Sequence, residues 1–323
     1  MLVTLCALGF AGVFVLLLRE LGGDELLASL RTLDSLWPAL LLLEAARMGC
    51  EVVATRAVYG AEGARVPPLR LLRGQLFAQL LDVLMPAGRA SAETAKALLY
   101  AREVGAPQAA AAATALQLAV LSANAVWVLI GYPLSGHVGL PEPLRLGLIG
   151  YVAVTSSLVL AVALLAVAPR VRRLFGRLPL VAASLERIDH LLTTGKRGVG
   201  SAVLAQVVSR VLQTAQLALI MGVLGARPDI VQAYFTEAVY LVGVALGELM
   251  PAQLGSIDAV FVVAAPSLGL TSVSAFTATL ALHAVQVLVA VASGLAALGL
   301  WWLETRQTRR RSAAAPSLAE AGE

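Results

Sequence analysis

The chain has 323 residues, 59% of them apolar and only 14% charged, with a formal net charge of +4. A soluble domain of this length would need far more polar surface to cover its core, so the composition excludes a soluble globular protein. The basic balance, a pI near 9.4 with a mean hydropathy of +0.83, does not point to nucleic acid. The positive charge gathers in one loop, Arg170 to Arg197, and in the tail after Trp302, as it does on cytoplasmic membrane faces.

Several apolar runs approach the roughly 20 residues that a helix needs to cross a bilayer. Leu, Ala and Val dominate without a turn-rich alternation, which favours helices over a transmembrane barrel. Cys6 and Cys50 lie inside apolar stretches and build neither a disulfide framework nor a metal site. His137, His190 and His283 are scattered, so no metal or cofactor is expected. P-loop, GxSxG, HExxH and Rossmann glycine patterns are all missing, and an enzyme is not expected.

Helix one is expected from Leu2 to Leu18, retained rather than cleaved, because no basic n-region precedes it and no small-residue site follows it. Helix two starts near Trp37-Pro38, with an aromatic at the interface and proline in the first turn. It carries Glu44, Arg47 and Glu51 at spacings of three and four, on one face. The triad reads either as a self-neutralising packing device or as the lining of a polar pathway.

After a loop with Arg56, Arg65, Arg70 and Arg73, an apolar segment from Pro67-Pro68 carries Gln75, Gln79 and Asp82 up to Pro86. There it breaks at Pro86-Ala87-Gly88. A short helix then begins near Ser91 and carries Glu93, Lys96, Arg102 and Glu103, too polar to cross alone. Two half-length helices meeting at a proline and glycine predict a re-entrant hairpin over about 67–104.

Pro107 to Tyr132 is a full span with a thin alanine face at Ala109 to Ala113, suited to close helix packing. Leu144 to Ala168 returns, and the basic loop places its end inside. Val199 to Leu224 crosses again with Gln206, Arg210 and Gln213 on one face, a stripe for a polar helix neighbour, a substrate, or both. Ile230 to Met250 carries Glu237 and Glu248, and a second break follows at Pro251 to Gly255. The second hairpin is expected over about 230–268 and the last span over Thr271 to Leu303. The expected organisation is thus one membrane domain, 1–303, and a basic, disordered cytoplasmic tail, 304–323.

The two breaks share Leu-Met-Pro-Ala, at Leu84 to Ala87 and Leu249 to Ala252. In each an acid falls seven positions after the proline, Glu93 and Asp258. Ala113 to Leu118 and Ala278 to Leu282 add a weaker match downstream. Three spans separate the hairpins, an odd number, so the units face opposite ways. The fold class is therefore all-α, a polytopic helical membrane protein with two inverted repeats, each containing a re-entrant broken-helix hairpin.

At each break the second half-helix would point unpaired amides and a positive dipole end into the membrane, an anion site. Arg89 adds a planar donor fork that suits phosphate, and Ser91 and Ser256 are candidate N-caps. Glu93 and Asp258 either complement their own helix starts or hold a cation or coupling proton. Lys96 reads as a partner of Glu93 at i+3 or as a substrate contact. Arg89, Glu93, Lys96, Glu248, Asp258, Ser91 and Ser256 are the candidate substrate-binding residues. Arg47, Glu51, Asp82, Glu237 and Arg210 are candidate pathway-lining residues.

Pro86-Ala87-Gly88-Arg89-Ala90-Ser91-Ala92-Glu93 resembles the Pro-x-Gly-x-x-x-x-Glu signature of the lysylphosphatidylglycerol synthase/flippase transmembrane-region family, the flippase half of the bacterial multiple peptide resistance factor. Pro251-Ala252-Gln253-Leu254-Gly255-Ser256-Ile257-Asp258 is similar to its second signature, Pro-Gly-Gly-x-Gly-x-x-Glu. Ala252-Gln253 replace the glycine pair, Asp258 the glutamate, and Ala90-Ser91 the glycines before Glu93. The layout matches from helix one to Trp302, without the cytosolic aminoacyl-transferase domain.

The resemblance implies a flippase-like protein of a bacterial-type cytoplasmic membrane, multi-pass with its C-terminus inside. It would move a phospholipid or lipid-linked head group between leaflets, with membrane lipids, anionic or lipid-linked, as partners and no nucleic acid. Two other classes stay open: a secondary transporter of a small solute or ion, and a non-transporting membrane partner of a lipid-modifying or glycosyl-transferring enzyme.

Overall fold

Prolines and glycines mark where helices start and break in the computed structural model, which describes Arg19 and residues 23–167, 179–193, 196–226 and 228–314. The expected helix one and residues 170–178 and 194–195 of the basic loop lie outside these residues. Among the described residues every regular element is helical.

Helix α1 (Gly23–Arg31) leads through a short turn into α2 (Trp37–Tyr59), which has proline in its first turn and stops at Gly60. Helices α3 (Pro68–Leu84) and α4 (Gly88–Val104) pack against each other across the first break. Then come α5 (Ala106–Val138), α6 (Glu142–Val167), α7 (Pro179–Thr193) and α8 (Lys196–Val223). Helix α9 (Ile230–Leu246) is capped reciprocally, with the Gln232 amide donating to Asp229 at 2.7 Å and the Asp229 amide to the Gln232 side chain at 3.3 Å. Helix α10 (Ser256–Ala264) follows the second break and packs on α9, and α11 (Ser272–Ala314) closes the bundle.

Helices α5, α6, α8 and α11 are long and apolar enough to cross a membrane, and the α1–α2 pair, bent by 41°, makes a fifth candidate. The length of α11 departs from expectation: it runs past Trp302 to Ala314, so the start of the tail assigned to disorder is helical. Arg306 lies over the Trp302 ring at 3.5 Å there, a cation–π contact that favours continuing the helix. Helix α7 falls in the stretch read only as a basic loop; Ile188 and Leu191 bury its apolar face, which packs against α5 and α6.

Small residues set the close packing. Ala109, Ala111, Ala112, Ala115 and Ala119 of α5 are all at most 1% exposed, in the face against α4 and α8. Leu146, Leu160 and Leu164 of α6 are more than half exposed, as expected of a surface solvated by lipid tails.

The two hairpins have their open ends at opposite ends of α5. The base of the first is closed by ion pairs from Arg70 to Glu103 and from Arg73 to Glu304 of α11. That base adjoins the start of α5, since α4 ends at Val104. At the open end of the second hairpin, Ser267 donates to the carbonyl of Gly139, just past the other end of α5, at 3.1 Å. Helix α5 has 33 residues, about 50 Å of rise. The hairpin tips therefore approach each other from the two ends of the bundle.

Candidate functional site

The first break takes three residues. Met85 is extended (φ −99°, ψ 148°), as the residue before a proline prefers. Ala87 is left-handed (φ 50°, ψ 48°) and serves as N-cap of α4. Gly88 then passes so close to the Asp82 carbonyl that a Cβ would collide with it. Ser91 is not the cap: α4 starts earlier, at Gly88, and the Ser91 hydroxyl donates to the Pro86 carbonyl at 3.1 Å.

The second break is a single tight turn, Pro251–Gln253, in which Ala252 (φ 51°) and Gln253 (φ 54°) are both left-handed. Gly255 (φ 84°) is the N-cap of α10. Ser256 is not; its hydroxyl donates to the Gln253 carbonyl at 2.8 Å. Asp258 instead stabilises this helix start, its Oδ2 accepting from the Gly255 amide at 2.7 Å. Its Oδ1 accepts from Thr279 and lies 3.4 Å from His283 Nε2.

The breaks touch. The Ala87 amide donates to the Glu248 carbonyl at 3.0 Å, and the end of α3 packs on the turn Pro251–Gln253. Beside this joint lies a cavity of about 440 Å³. Asp82 and Arg89 reach it from the first hairpin, Glu248, Ala252 and Gln253 from the second, and Glu44, Arg47 and Glu51 from α2. Gln117 and Asn124 of α5, Tyr151 of α6, Arg210 of α8, Tyr240 of α9 and Gln286 of α11 are among its other polar lining residues.

Charge pairing around the cavity is specific. Arg89 presents its fork to Glu51, with two N–H donors each 2.8 Å from a different carboxylate oxygen. It also lies 3.2 Å from Glu93, which in turn lies 2.8 Å from Lys96. Lys96 further donates to Thr55 and Gln75 at 3.3 and 3.4 Å. Arg47 pairs with Glu44 at 2.8 Å, so the expected α2 triad splits, its third member Glu51 turning to Arg89. Arg210 pairs with Glu237 at 3.0 Å and donates to Gln213 at 2.9 Å.

All four bases are thus matched. Asp82 and Glu248 line the cavity with no basic partner at salt-bridge distance among the described residues. The two share a field, since Asp82 and Arg89 are the charged neighbours that act on Glu248.

This pairing alters the expected anion site. A phosphate could take Arg89 outright only by displacing Glu51, and breaking a buried pair typically costs about 3–5 kcal/mol. What the cavity offers without displacement is two carboxylates.

Of the candidates, Arg47, Glu51, Asp82, Arg89, Arg210 and Glu248 line the cavity. Glu93, Lys96 and Glu237 are buried behind it as ion-pair partners. Ser91, Ser256 and Asp258 belong to the break backbones and do not line it. Gln117, Asn124, Tyr151, Tyr240 and Gln286 join the site without having been singled out by the sequence. The first two had a readable signal, amides seven residues apart on one face of an apolar span.

Two broken helices with charged tips at the centre of an apolar bundle are the features the sequence signatures led to. The model of the family described as the lysylphosphatidylglycerol synthase TM region matches residues 2–294. The chain belongs to that family. The match covers both breaks and every cavity-lining residue named above. No curated protein and no solved structure matches the chain. Membership in a lysylphosphatidylglycerol synthase TM-region family, together with the four to five candidate spans, makes this an integral membrane protein of lipid-modification or flippase type.

Proposed function

We propose that the chain is a lipid translocase that passes a head group through the cavity between the two hairpins while the acyl chains stay in the bilayer. The observation that carries this reading is the cavity itself. It lies where two broken helices meet, has a mixed apolar and charged lining, and is ringed by paired arginines with two carboxylates left over. Val154 (68% exposed) and Leu158 (48% exposed) of α6 line the same cavity, giving it an apolar edge on the outer surface of the bundle. A head group entering past them need not drag its tails through the polar centre.

The hairpins act as inverted repeats in this reading. Their opposed open ends, their shared Leu-Met-Pro-Ala and the bond between their tips all support it. Transporters of this plan work by rocking one repeat against the other around a fixed central site. Asp82 and Glu248 would meet an ammonium or hydroxyl group of the lipid, and Arg89 would share its fork between Glu51 and a phosphate during passage. The membrane is a bacterial-type cytoplasmic one, with the end of α11 and the base of the first hairpin on the inner side.

The test uses proteoliposomes carrying tail-labelled fluorescent phospholipids, quenched from outside. Faster quenching of the inner-leaflet pool than in empty vesicles is expected, and more so for a phosphatidylethanolamine than for a phosphatidylglycerol. Equal slow quenching of both lipids would refute translocation, and proton-driven uptake of a small solute instead would identify a solute transporter.

A further inference from the structure

Behind the second break lies a buried ionisable pair that the cavity does not use. Asp258 is 0% exposed and His283 3% exposed. The carboxylate already accepts from the Gly255 amide and the Thr279 hydroxyl, and His283 Nε2 is 3.4 Å away. Neither ring nitrogen makes a hydrogen bond of standard geometry among the described residues, so the 3.4 Å approach of Nε2 is a contact between charges once the ring is protonated. Ile257, Phe261, Phe276, Ala278 and Leu282, all at most 1% exposed, occupy the same stretches of α10 and α11.

The other described charged groups on the helices packed against α10 and α11 have partners elsewhere, line the cavity or are exposed, as Arg56 of α2 and Arg197 of α8 are. On α9, Glu237 is held by Arg210 of α8, and the Tyr240 hydroxyl accepts from Gln286 at 3.2 Å. On α2, Arg47 is held by Glu44 and Glu51 by Arg89; on α3, Arg73 is held by Glu304, Arg70 by Glu103, and Asp82 faces the cavity. Asp24, Glu25 and Arg31 of α1 are exposed. Among the described residues, His283 is the one charged group that acts on Asp258.

A carboxylate buried without a counter-charge costs several kcal/mol, whereas a protonated imidazole beside it makes the pair neutral. Proton uptake at His283 is therefore linked to the arrangement that keeps the pair together. That arrangement holds the Gly255 amide, which follows closely on the strained Ala252 and Gln253 of the cavity wall. On α11, Gln286, one turn beyond His283, lines the same cavity.

We infer that Asp258 and His283 form a buried proton-binding site that positions the second break, and with it one wall of the cavity, according to whether His283 carries a proton. The ligand is a proton, and His283 is a positioning residue acting through Asp258. With the proton bound the break is held on α11. As pH rises through the titration of the pair, the carboxylate loses its counter-charge and the break is released toward the cavity. As a control over head-group passage this rests on the translocase reading; as a proton site it stands on the geometry alone.

The test is a ring-resonance titration of ¹³C-histidine-labelled full-length protein in nanodiscs, with His283→Gln identifying the signal. Asp258→Asn should lower the proton affinity of His283 by about tenfold or more, the size expected on losing a buried counter-charge. Hydrogen exchange at residues 255–259, normalised to α5 amides, should speed up above the His283 titration in the wild type. In His283→Gln, which retains a donor, it should show no such step. An unchanged titration in Asp258→Asn, or exchange at the break that ignores pH in the wild type, would overturn the proposal. If the titration and exchange behave as stated but no lipid moves, the translocase reading fails and the proton site stands.

Discussion

Ala87 and Glu248, 161 positions apart in the chain, are joined by a backbone hydrogen bond of 3.0 Å from the amide of one to the carbonyl of the other. Each break thereby satisfies a polar group that would otherwise be orphaned inside the bundle. The same bond fixes the backbone from which the Glu248 side chain reaches the cavity. The hairpin tips are a single joint made of two parts.

That joint is strained. Among the described residues, the only non-glycine positions with positive φ are Ala87, Ala252 and Gln253, all at the breaks. The left-handed conformation costs a non-glycine residue roughly 1–2 kcal/mol, partly offset by the greater unfolded-state freedom of glycine. Ala87→Gly and Ala252→Gly should each stabilise the protein by about 0.5–1 kcal/mol, read as a higher thermal midpoint in nanodiscs. Midpoints that stay level or fall would show the joint is unstrained.

Gly88 tests the geometry of the first tip. A Cβ there would strike the backbone carbonyl of Asp82, which no rotamer change can relieve, whereas a Cβ added at Gly49 in α2 would meet nothing within 4 Å. Gly88→Ala should lower the thermal midpoint and the monodisperse yield, while Gly49→Ala should be neutral or slightly stabilising, as expected in a helix interior. Equal behaviour of the two variants would contradict the tight reversal from α3 into α4.

The bidentate pair of Arg89 and Glu51 is the best-formed contact in the cavity. Removing one partner leaves a buried charge, at a cost of about 3–5 kcal/mol. Glu51→Gln and Arg89→Gln should each be strongly destabilising, and the double variant should recover much of the loss. Arg89→Lys should not substitute, because a lysine cannot present two parallel donors. Strictly additive losses in the double-variant cycle would mean the pair is not coupled.

Local chemistry made the breaks legible. Pro86, Gly88 and Pro251 cannot sit within a regular helix interior without cost, so both interruptions could be placed to within a few residues. The i+3 partnership of Glu93 with Lys96 was equally local, and the 2.8 Å contact is there. Long-range choices were not legible. Glu51 could have answered Arg47 on its own helix, and only the approach of the first hairpin tip decides for Arg89, 38 residues away. The serines read as caps because they are the usual capping residues, while here backbone turned left-handed at Ala87 and Gly255 opens both helices ahead of them. His283 looks isolated in sequence because Asp258, its neighbour in space, lies on another helix.

The proposed role of the cavity is to handle a lipid head group through its two unpaired carboxylates. It is tested most directly by the Asp82→Asn/Glu248→Gln double variant in the proteoliposome quenching experiment, beside Glu142→Gln, which alters an exposed ion pair. Neither cavity change strips a buried base of its partner, so folded protein is expected from both variants. The double variant should lose at least about tenfold in the rate of phosphatidylethanolamine movement while Glu142→Gln retains it. Wild-type rates from a well-folded double variant would contradict it.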